Sequence, residues 1–208
     1  MKTTFLAIIT AGACATTTHQ APAEHIVSPA AQVHPDSGRP PYTSADVHFM
    51  TGMIGHHAQA VLIAGWAPSH AASAAVRALC ERIVVGQRDE IALMQRWLRE
   101  RHEPVPEADP AHYTMPGMDP SMLMPGMLTA EQLAQLDRAR GAEFDRLFLT
   151  FMIQHHQGAI TLVNQLFGSP GGGEQETVFR FASDVFADQS TEIERMNRML
   201  DAFNRSPQ

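Results

Sequence analysis

The fold of this 208-residue chain is decided by a segment that occurs twice. Residues 46–60 read DVHFMTGMIGHHAQA, and residues 145–159, at an offset of 99, read DRLFLTFMIQHHQGA. Eight of the fifteen positions are identical, whereas unrelated sequences would share about one. The segment therefore indicates an internal duplication, and each copy contains two adjacent histidines.

A weaker repeat follows each copy and extends the duplication to a second helix. The residues that recur are Gln87, Glu90, Ile91, Met94 and Leu98 in the first half and Gln189, Glu192, Ile193, Met196 and Leu200 in the second. Their spacing of three or four residues puts each set on one face of a helix. Each half of the chain is therefore predicted to be a helical hairpin.

Start and stop signals predict the bounds of these hairpins. Ser44 is a suitable N-cap for the first helix, and Thr129 with Gln132 has the capping-box pattern. Glycine and proline at 65–68 and 168–170 end the two motif helices. We expect an all-α, antiparallel four-helix bundle with pseudo-twofold symmetry, with an extra helical stretch at 129–140 and long helices at 44–66, 70–102, 142–167 and 174–203.

The N-terminal region carries export features. Residues 1–15 combine an apolar stretch with small residues, as is typical of a secretory signal. Residues 10–14 resemble a lipoprotein box, in which Cys14 would be acylated and anchor the chain to a bacterial membrane; plain cleavage after Ala15 is the alternative. Residues 16–43 are predicted to form a flexible tether, and 204–208 a short tail. The expected product is exported, to the periplasm or outer surface.

Composition and charge indicate a globular domain without a nucleic-acid-binding surface. The formal net charge is −7, with 15 Lys and Arg against 22 Asp and Glu, which argues against a nucleic-acid surface. The hydrophobic content of 44% is normal for a soluble globular domain. Cys80 is the only cysteine besides Cys14, so we expect no intramolecular disulfide and a buried, inert thiol at Cys80.

Helical geometry predicts different surroundings for adjacent histidines. At about 100° per residue, His57 falls on the apolar stripe beside Met50, whereas His56 falls at the flank of the stripe. The second copy repeats this arrangement with His156 and His155. His57 and His156 are therefore predicted to face the interior. The residues predicted to be the more accessible ligands are His56, His155, Met53 and Met152.

Two glutamates on the partner helices are predicted to lie near these histidines. Glu90 and Glu192 share apolar faces with Met94 and Met196, and a buried carboxylate needs a partner. In one interpretation each glutamate bonds the interior histidine of its own half and forms a metal-free polar layer that fixes helix register. In the other, the whole set binds a metal between facing helices, which the repetition favours.

A proline-rich connection at 103–128 separates the two halves and contains a methionine cluster. Its prolines exclude a regular helix. We therefore expect its thioethers to be exposed and to capture a soft metal ion. The methionines concerned are Met115, Met118, Met122, Met124 and Met127.

The combined ligand set of thioethers and imidazoles ranks the metals. Thioethers favour Cu(I) and the similar Ag(I), while neutral imidazole also suits Cu(II) and zinc. Copper is therefore the expected ligand, as Cu(I) first, with Cu(II), silver and zinc as alternatives. Because a ligating histidine must be neutral, capture by the histidines should weaken as the pH falls through the ordinary imidazole range.

The motif residues also carry a family resemblance. They are Asp46, Phe49, Met50, Met53, Ile54, His56, His57 and Ala60. With their second copy and the Gln-x-x-Glu-Ile helices, they resemble the domain-of-unknown-function 305 family over about residues 44–203. The resemblance implies a ferritin-like fold, export and, as in CopM-like members, copper binding that protects against copper stress. It assigns the ligand role to His56, His57, His155, His156, Met53 and Met152.

The second copy departs from the first at several motif positions. Leu149 replaces a methionine, and Phe151 and Gln154 replace the glycines Gly52 and Gly55. The two half-sites are therefore expected to differ in affinity.

Three functions are consistent with these patterns. We favour a non-enzymatic protein that sequesters copper, confers resistance to it or transfers it to other copper-handling proteins. A ferritin-like di-iron oxidase is the enzymatic rival, but such sites use Glu-x-x-His pairs, and the sequence contains none. The third is a metal-free structural or adaptor bundle with a buried His–Glu layer.

Overall fold

The fold is seen in a computed structural model that describes residues 41–110 and 123–205. The predicted signal sequence, the lipoprotein box, nearly all of the tether and the last three residues of the tail lie outside the described residues. So do three of the connection's methionines, Met115, Met118 and Met122.

Within the described ranges the chain is all-helical, with no β-strand. The helices are α1 (Ser44–Ala64), α2 (Ala74–Glu100), α3 (Ala130–Arg138), α4 (Ala142–Phe167) and α5 (Glu176–Arg205). The four long helices match the predicted ones within a few residues, and α3 matches the extra stretch. No helix in the described part of the chain has the length and apolar content needed to cross a membrane.

The helix ends follow from local chemistry, with one correction to the predicted caps. Thr43, not Ser44, is the N-cap of α1, because its extended backbone lets its side chain accept from the N–H of Asp46 while Asp46 reaches back to the N–H of Thr43. Thr129 and Gln132 form the predicted capping box of α3. Ser73 caps α2 by accepting from the N–H of Val76, so α2 begins later than predicted.

The helices are arranged as two hairpins. The first hairpin packs α1 against α2, the second packs α4 against α5, and the hairpins meet through α1 and α4. The short helix α3 contacts α4. The duplicated motif helices therefore face each other at the centre of the molecule.

The apolar core of the described residues consists of two large clusters and one small one. The first, which we call the Met53 cluster, joins the start of α1 and of α5 to the end of α2 and of α4. The second, the Phe148 cluster, joins the opposite ends of the same helices. Each fully buried Met, Leu or Phe side chain contributes about 1.5–3 kcal/mol to stability. The buried side chains between the two large clusters are mostly polar, and they include the paired histidines.

Two buried aspartates fasten one hairpin to the other. Asp46 of α1 accepts from the N–H of Gly173, in the loop between α4 and α5, at 2.7 Å. Asp145 of α4 accepts at 3.2 Å from the N–H of Ser73, in the loop between α1 and α2. The two residues occupy the same repeat position and are 0% and 1% exposed. Each motif helix therefore holds the loop of the opposite hairpin.

Cys80 lies in the Phe148 cluster and is 2% exposed, as predicted. Burial, and next the nearby Asp145 carboxylate, raise the pKa of its thiol to about 12. The thiol is therefore protonated and unreactive at neutral pH.

The hydrogen bonds of the two aspartates to the opposite hairpin predict that replacing Asp46 lowers the free energy of unfolding more than replacing Asp145. Asp46→Ala leaves two backbone N–H groups and the Thr43 hydroxyl without their acceptor, so the free energy of unfolding should fall by about 3 kcal/mol. Asp145→Ala removes two longer contacts to one N–H and should cost about 2 kcal/mol. Urea denaturation measures both, with the exposed Asp89→Ala as control; equal stability of Asp46→Ala and the control would contradict the fastening.

Candidate metal centre

Four buried histidines form the centre of the molecule. His56 and His57 of α1, and His155 and His156 of α4, are all 0% exposed. The ring centroids of His56 and His155 lie 3.9 Å apart across the helix interface. Adjacent rings on one helix are 6.5 Å and 6.2 Å apart. The flanking histidines predicted by helical projection therefore meet each other, one from each copy of the motif.

The interior histidines face the glutamates of their own hairpins. Nε2 of His156 donates to Glu192 Oε2 at 2.6 Å. Nε2 of His57 lies 2.7 Å from Glu90 Oε2, within ion-pair distance, although its N–H is not directed at that oxygen as a hydrogen bond requires. The glutamate side chains are 23% and 25% exposed. This is the pairing expected of the polar layer, and it connects the histidines to the surface.

The flanking histidines are not paired in this way. Neither ring nitrogen of His155 makes a hydrogen bond of acceptable geometry among the described residues, although the backbone carbonyl of His56 lies close to the ring. His56 uses only Nε2, which lies 3.0 Å from the carbonyl oxygen of Pro125. A buried polar group left unsatisfied costs about 1–3 kcal/mol. The two rings that approach most closely thus include nitrogens that the described protein leaves without a bond.

Further buried polar atoms in this layer lack partners within residues 41–110 and 123–205. They are Nδ1 of His56, His57 and His156, Oε1 of Gln87 and both amide atoms of Gln189. The repeat preserved both glutamines, but sequence reasoning did not single them out as site residues. Neutral nitrogen and amide oxygen with free lone pairs are metal-ligand chemistry, so the donor atoms present fit a bound ion.

The core methionines flank the histidine layer on both sides. Met50, Met53, Met94, Met152 and Met196 are all 0% exposed, so the prediction that Met53 and Met152 are accessible ligands is wrong as regards solvent exposure. The first three belong to the Met53 cluster and the last two to the Phe148 cluster. Buried thioethers therefore lie in both packing clusters, on either side of the histidine layer.

The two described methionines of the connection are less exposed to solvent than predicted. Met124 and Met127 are only 4% and 7% exposed and pack with Leu162 of α4. The expectation of exposed thioethers is wrong for these two, because the chain around them lies flat on α4.

Residues 124–128, which we call the strap, cross the interface of α1 and α4. Gln59 holds the strap with two hydrogen bonds, accepting from the N–H of Leu128 at 2.7 Å and donating to its carbonyl at 3.2 Å. Gln154 donates to the carbonyl of Gly126 at 3.3 Å. The strap and α4 together cover His56 and His155, so the prediction that these histidines are accessible is wrong as regards solvent exposure.

The strap contacts were not predicted, although the sequence contained a signal for them. Gln59 and Gly158 occupy the same repeat position, as do Gly55 and Gln154. Departures from the repeat inside an otherwise preserved motif mark positions where the two halves have different neighbours. His70 was also missed; its ring nitrogens contact Trp66 and Asp137 and connect the first hairpin to α3.

Burial sets the protonation state of the flanking rings. It lowers the pKa of His56 to about 3, with the neighbouring His57 as the next cause. Burial, followed by the proximity of His56, lowers the pKa of His155 well below its usual range. Both rings are therefore neutral near pH 7 and able to ligate. The predicted loss of metal in the ordinary imidazole range does not apply to these two residues, whose folded pKa values lie lower.

The outer ends of the glutamates lie in a negative region. Burial, and then the charge of Glu90, raise the pKa of Asp188, with smaller contributions from Asp184 and Glu192. The carboxylates of α2 and α5 therefore act on one another electrostatically. Such a region attracts cations.

The geometry limits the kind of site that is preformed. Among the residues described, no three His, Cys, Asp or Glu side chains stand together in an arrangement that could hold a metal ion. The close pair of His56 and His155 is therefore the strongest preformed element. Two imidazoles, supplemented by thioether or amide, suit an ion that accepts few and soft ligands better than one that needs an all-oxygen shell.

Comparison with known proteins finds a matching family model and several similar solved structures. The model of DUF305, a domain of unknown function, matches residues 46–200. A solved DUF305 fragment from Deinococcus radiodurans is 28% identical, with a TM-score of 0.65, and the match covers 78% of this chain and 99% of that one. A DUF305 protein of Streptomyces coelicolor, described as secreted, is 26% identical, with a TM-score of 0.64 and coverage of 79% and 97%.

CopM is a further structural relative. Its Cu(II)-bound form is 26% identical to this chain, with a TM-score of 0.60 and coverage of 76% of this chain and 97% of CopM. CopM has also been solved in Cu(I)-bound and Ag-bound forms. No curated protein sequence is significantly similar to the chain.

The unsatisfied ring of His155 predicts an unusual effect of substitution. His155→Leu replaces a buried polar group that has no described partner with an apolar one, so the metal-free protein should be about 1 kcal/mol more stable. The buried His70, whose ring nitrogens have partners, is the matched control, and His70→Leu should cost about 2 kcal/mol. Thermal or urea unfolding measures both. Similar losses for the two variants would show that His155 has a structural partner.

The lowered pKa values predict an acid-sensitive stability of the metal-free protein. In the unfolded chain, His56 and His155 bind protons with the ordinary pKa of about 6.5, whereas in the folded chain they do so only at lower pH. Protonation therefore favours the unfolded state. The free energy of unfolding keeps its full value above pH 6.5 and decreases as the pH falls toward 3. Between pH 7 and 5 the two residues together should remove at most about 4 kcal/mol of unfolding free energy. Urea titrations at both pH values test this. His155→Leu should remove about half of the pH dependence, and a pH-independent wild type would contradict it.

Proposed function

The chain belongs to the DUF305 family, and from that membership together with the buried histidine cluster we propose that it is an exported, non-enzymatic protein that binds copper. Cu(I) is the favoured ion, with Cu(II), Ag(I) and zinc as alternatives. The role is sequestration, resistance or transfer to other copper-handling proteins.

One observation carries the proposal. His155 has two ring nitrogens without a described partner and lies 3.9 Å, centroid to centroid, from His56 on the opposite hairpin. Leaving such nitrogens unsatisfied costs about 1–3 kcal/mol each, which an ion bound between the two rings would offset. On this proposal the two motif copies share one ion at the interface of α1 and α4.

The choice of copper rests on the surroundings of the two rings. Both histidines are buried and neutral, and the neighbouring core side chains include five fully buried methionines. Neutral imidazole and thioether are ligands that select copper and silver over hard cations. The solved copper-bound and silver-bound forms of CopM, a structural relative, support the same choice.

The His–Glu pairs have a supporting role in this proposal. Glu90 and Glu192 hold the rings of His57 and His156 from the partner helices. Such outer contacts orient ligating rings and their neighbours. The exposed sides of the two glutamates, next to Asp188, provide a negative surface that attracts the cation toward the layer.

The two rival functions are less well supported. A di-iron oxidase needs several carboxylates around its metals, whereas no described group of three His, Cys, Asp or Glu could hold one ion. The metal-free bundle is favoured by the observed His–Glu pairs, which stabilise helix register without an ion. It gives no reason, however, for the unsatisfied nitrogens of His155 and His56.

Export and the finer architecture are part of the same proposal. We expect residues 1–15 to direct secretion, followed either by acylation of Cys14 or by plain cleavage after Ala15. One DUF305 relative is described as secreted. The four long helices would then form a ferritin-like antiparallel bundle outside the cytoplasm, with the Met-rich connection supplying further thioethers from Met115, Met118 and Met122.

Anaerobic competition for Cu(I) tests the proposal. Wild-type protein should withdraw Cu(I) from a micromolar-affinity chelator, and the double variant His56→Leu, His155→Leu should bind at least about 100-fold more weakly. The control variant His48→Leu removes an exposed histidine of α1 and should match the wild type. Because both leucines replace incompletely satisfied polar groups, the double variant should remain folded.

Each other outcome has a defined meaning. If the wild type takes up neither Cu(I) nor Ag(I), copper binding is rejected and the metal-free bundle is favoured. If the double variant binds as tightly as the wild type, the histidine pair is structural and the Met-rich connection is the binding segment. Oxidation of ferrous iron by the protein in the presence of oxygen would favour the di-iron rival.

A further inference from the structure

The strap lies directly on the histidine pair, and its contacts are unusually close. A Cβ atom added to Gly158 of α4 would lie 2.0 Å from the carbonyl oxygen of Pro125. A Cβ on Gly126 would lie 2.7 Å from the Cα of Gly158. Gly126 also has a φ of +80°, which favours glycine. Backbone therefore packs on backbone here, and only glycine at both positions allows it.

The close approach of the strap to α4 brings the carbonyl group of Pro125 within hydrogen-bond distance of His56. The oxygen of Pro125 lies 3.0 Å from Nε2 of His56. A carbonyl oxygen can only accept a hydrogen bond, so Nε2 must carry the proton. Nδ1 of the same ring is buried and has no bond within the described chain. The strap thus selects one of the two neutral forms of the ring.

The duplication makes the strap specific for the first motif. Gln59 clamps both backbone groups of Leu128, whereas the equivalent residue of the second motif is Gly158, which makes room for the strap. Gln154 holds the carbonyl of Gly126, whereas its equivalent, Gly55, has no side chain. The two motifs therefore hold the strap in one orientation, and no described residue of the strap makes a hydrogen bond to the ring of His155 as Pro125 does to that of His56.

We infer that the strap is a positioning element that fixes His56 as the Nε2–H tautomer and so makes Nδ1 the nitrogen with which His56 ligates the metal. The inference rests on the proposed metal binding and names the atom that performs it. A neutral ligating imidazole has one lone pair to give. With Nε2 protonated and bonded to Pro125, that lone pair is on Nδ1.

The nitrogen of His56 that binds the metal decides whether the strap can keep its hydrogen bond to the ring. A metal ion at Nε2 of His56 would displace the proton that Pro125 accepts, and the strap would lose this contact. A metal ion at Nδ1 leaves the contact in place, so the closed strap and the loaded site are compatible. Gln59 acts through Pro125 and is a positioning residue rather than a ligand.

Nitrogen NMR with Ag(I) as probe tests the assignment directly. In metal-free protein with ¹⁵N-labelled histidine, the ring correlations of His56 should have the Nε2–H pattern. After addition of Ag(I), which is diamagnetic and has a spin-active nucleus, coupling to silver should split the Nδ1 resonance of His56 and leave Nε2 protonated. A metal-free Nδ1–H pattern, or silver coupling at Nε2, would overturn the inference.

A matched pair of glycine variants tests the strap itself. Gly158→Ala pushes the strap away from α4 without changing any histidine, and alanine is a better helix former than glycine, so α4 should be retained. The control is Gly86→Ala in α2, where an added Cβ would meet no described atom within 4 Å. Gly158→Ala should give mixed His56 tautomers and about 10- to 100-fold weaker Ag(I) binding, while Gly86→Ala should match the wild type.

The results separate the inference from the proposed function. Unchanged tautomer and Ag(I) affinity in Gly158→Ala would overturn the positioning role and leave metal binding intact. Silver coupling at His155 together with Nε2 of His56 would do the same. Absence of silver coupling at every histidine, together with absence of Ag(I) uptake by the wild type, would overturn the proposed function and the ligand assignment with it.

Discussion

A polar layer in the middle of an apolar core is the constraint on which the rest of this structure depends. Four fully buried histidines separate the Met53 cluster from the Phe148 cluster. Burying such groups is costly unless they are bonded. The chain pairs His57 and His156 with glutamates that reach the surface, by ion-pair proximity for His57 and by a hydrogen bond for His156, and it covers His56 and His155 with the strap. The arrangement of helices, loops and connection thus follows from accommodating this layer.

The duplicated motifs keep equivalent residues at the positions that hold the two hairpins together, and they differ at the positions that contact the strap. Asp46 and Asp145 perform equivalent tasks, because each holds the loop of the opposite hairpin. Gln59 and Gly158 perform different tasks at one repeat position, because only one strap crosses the interface. Since the hairpins meet along α1 and α4, any ligand held by the histidine pair is held by both halves at once, and its binding would reinforce their association.

The same feature of the flanking histidines lowers the stability of the metal-free protein and favours metal binding. A ring with unsatisfied nitrogens destabilises the metal-free fold, and the same nitrogens are what a soft ion requires. Burial contributes in the same direction, because it keeps the rings of His56 and His155 unprotonated near neutral pH. A protein selected for stability alone would have leucine at these positions. The retention of histidine there is understandable if the ion is part of the functional state.

The sequence by itself determined the helices, the duplication and the chemistry of the ligand set, because these depend on local periodicity, capping and residue type. It also offered the pairing of His57 and His156 with Glu90 and Glu192 as one of two interpretations, since helical projection puts these residues on the apolar faces of neighbouring helices. Only the tertiary structure decided that His56 meets His155, that Met124 and Met127 are buried, and that Pro125 reaches His56. Those contacts join residues 35 to 99 positions apart. They form through the packing of α4 against α1 and the strap, and no local pattern specifies such an approach.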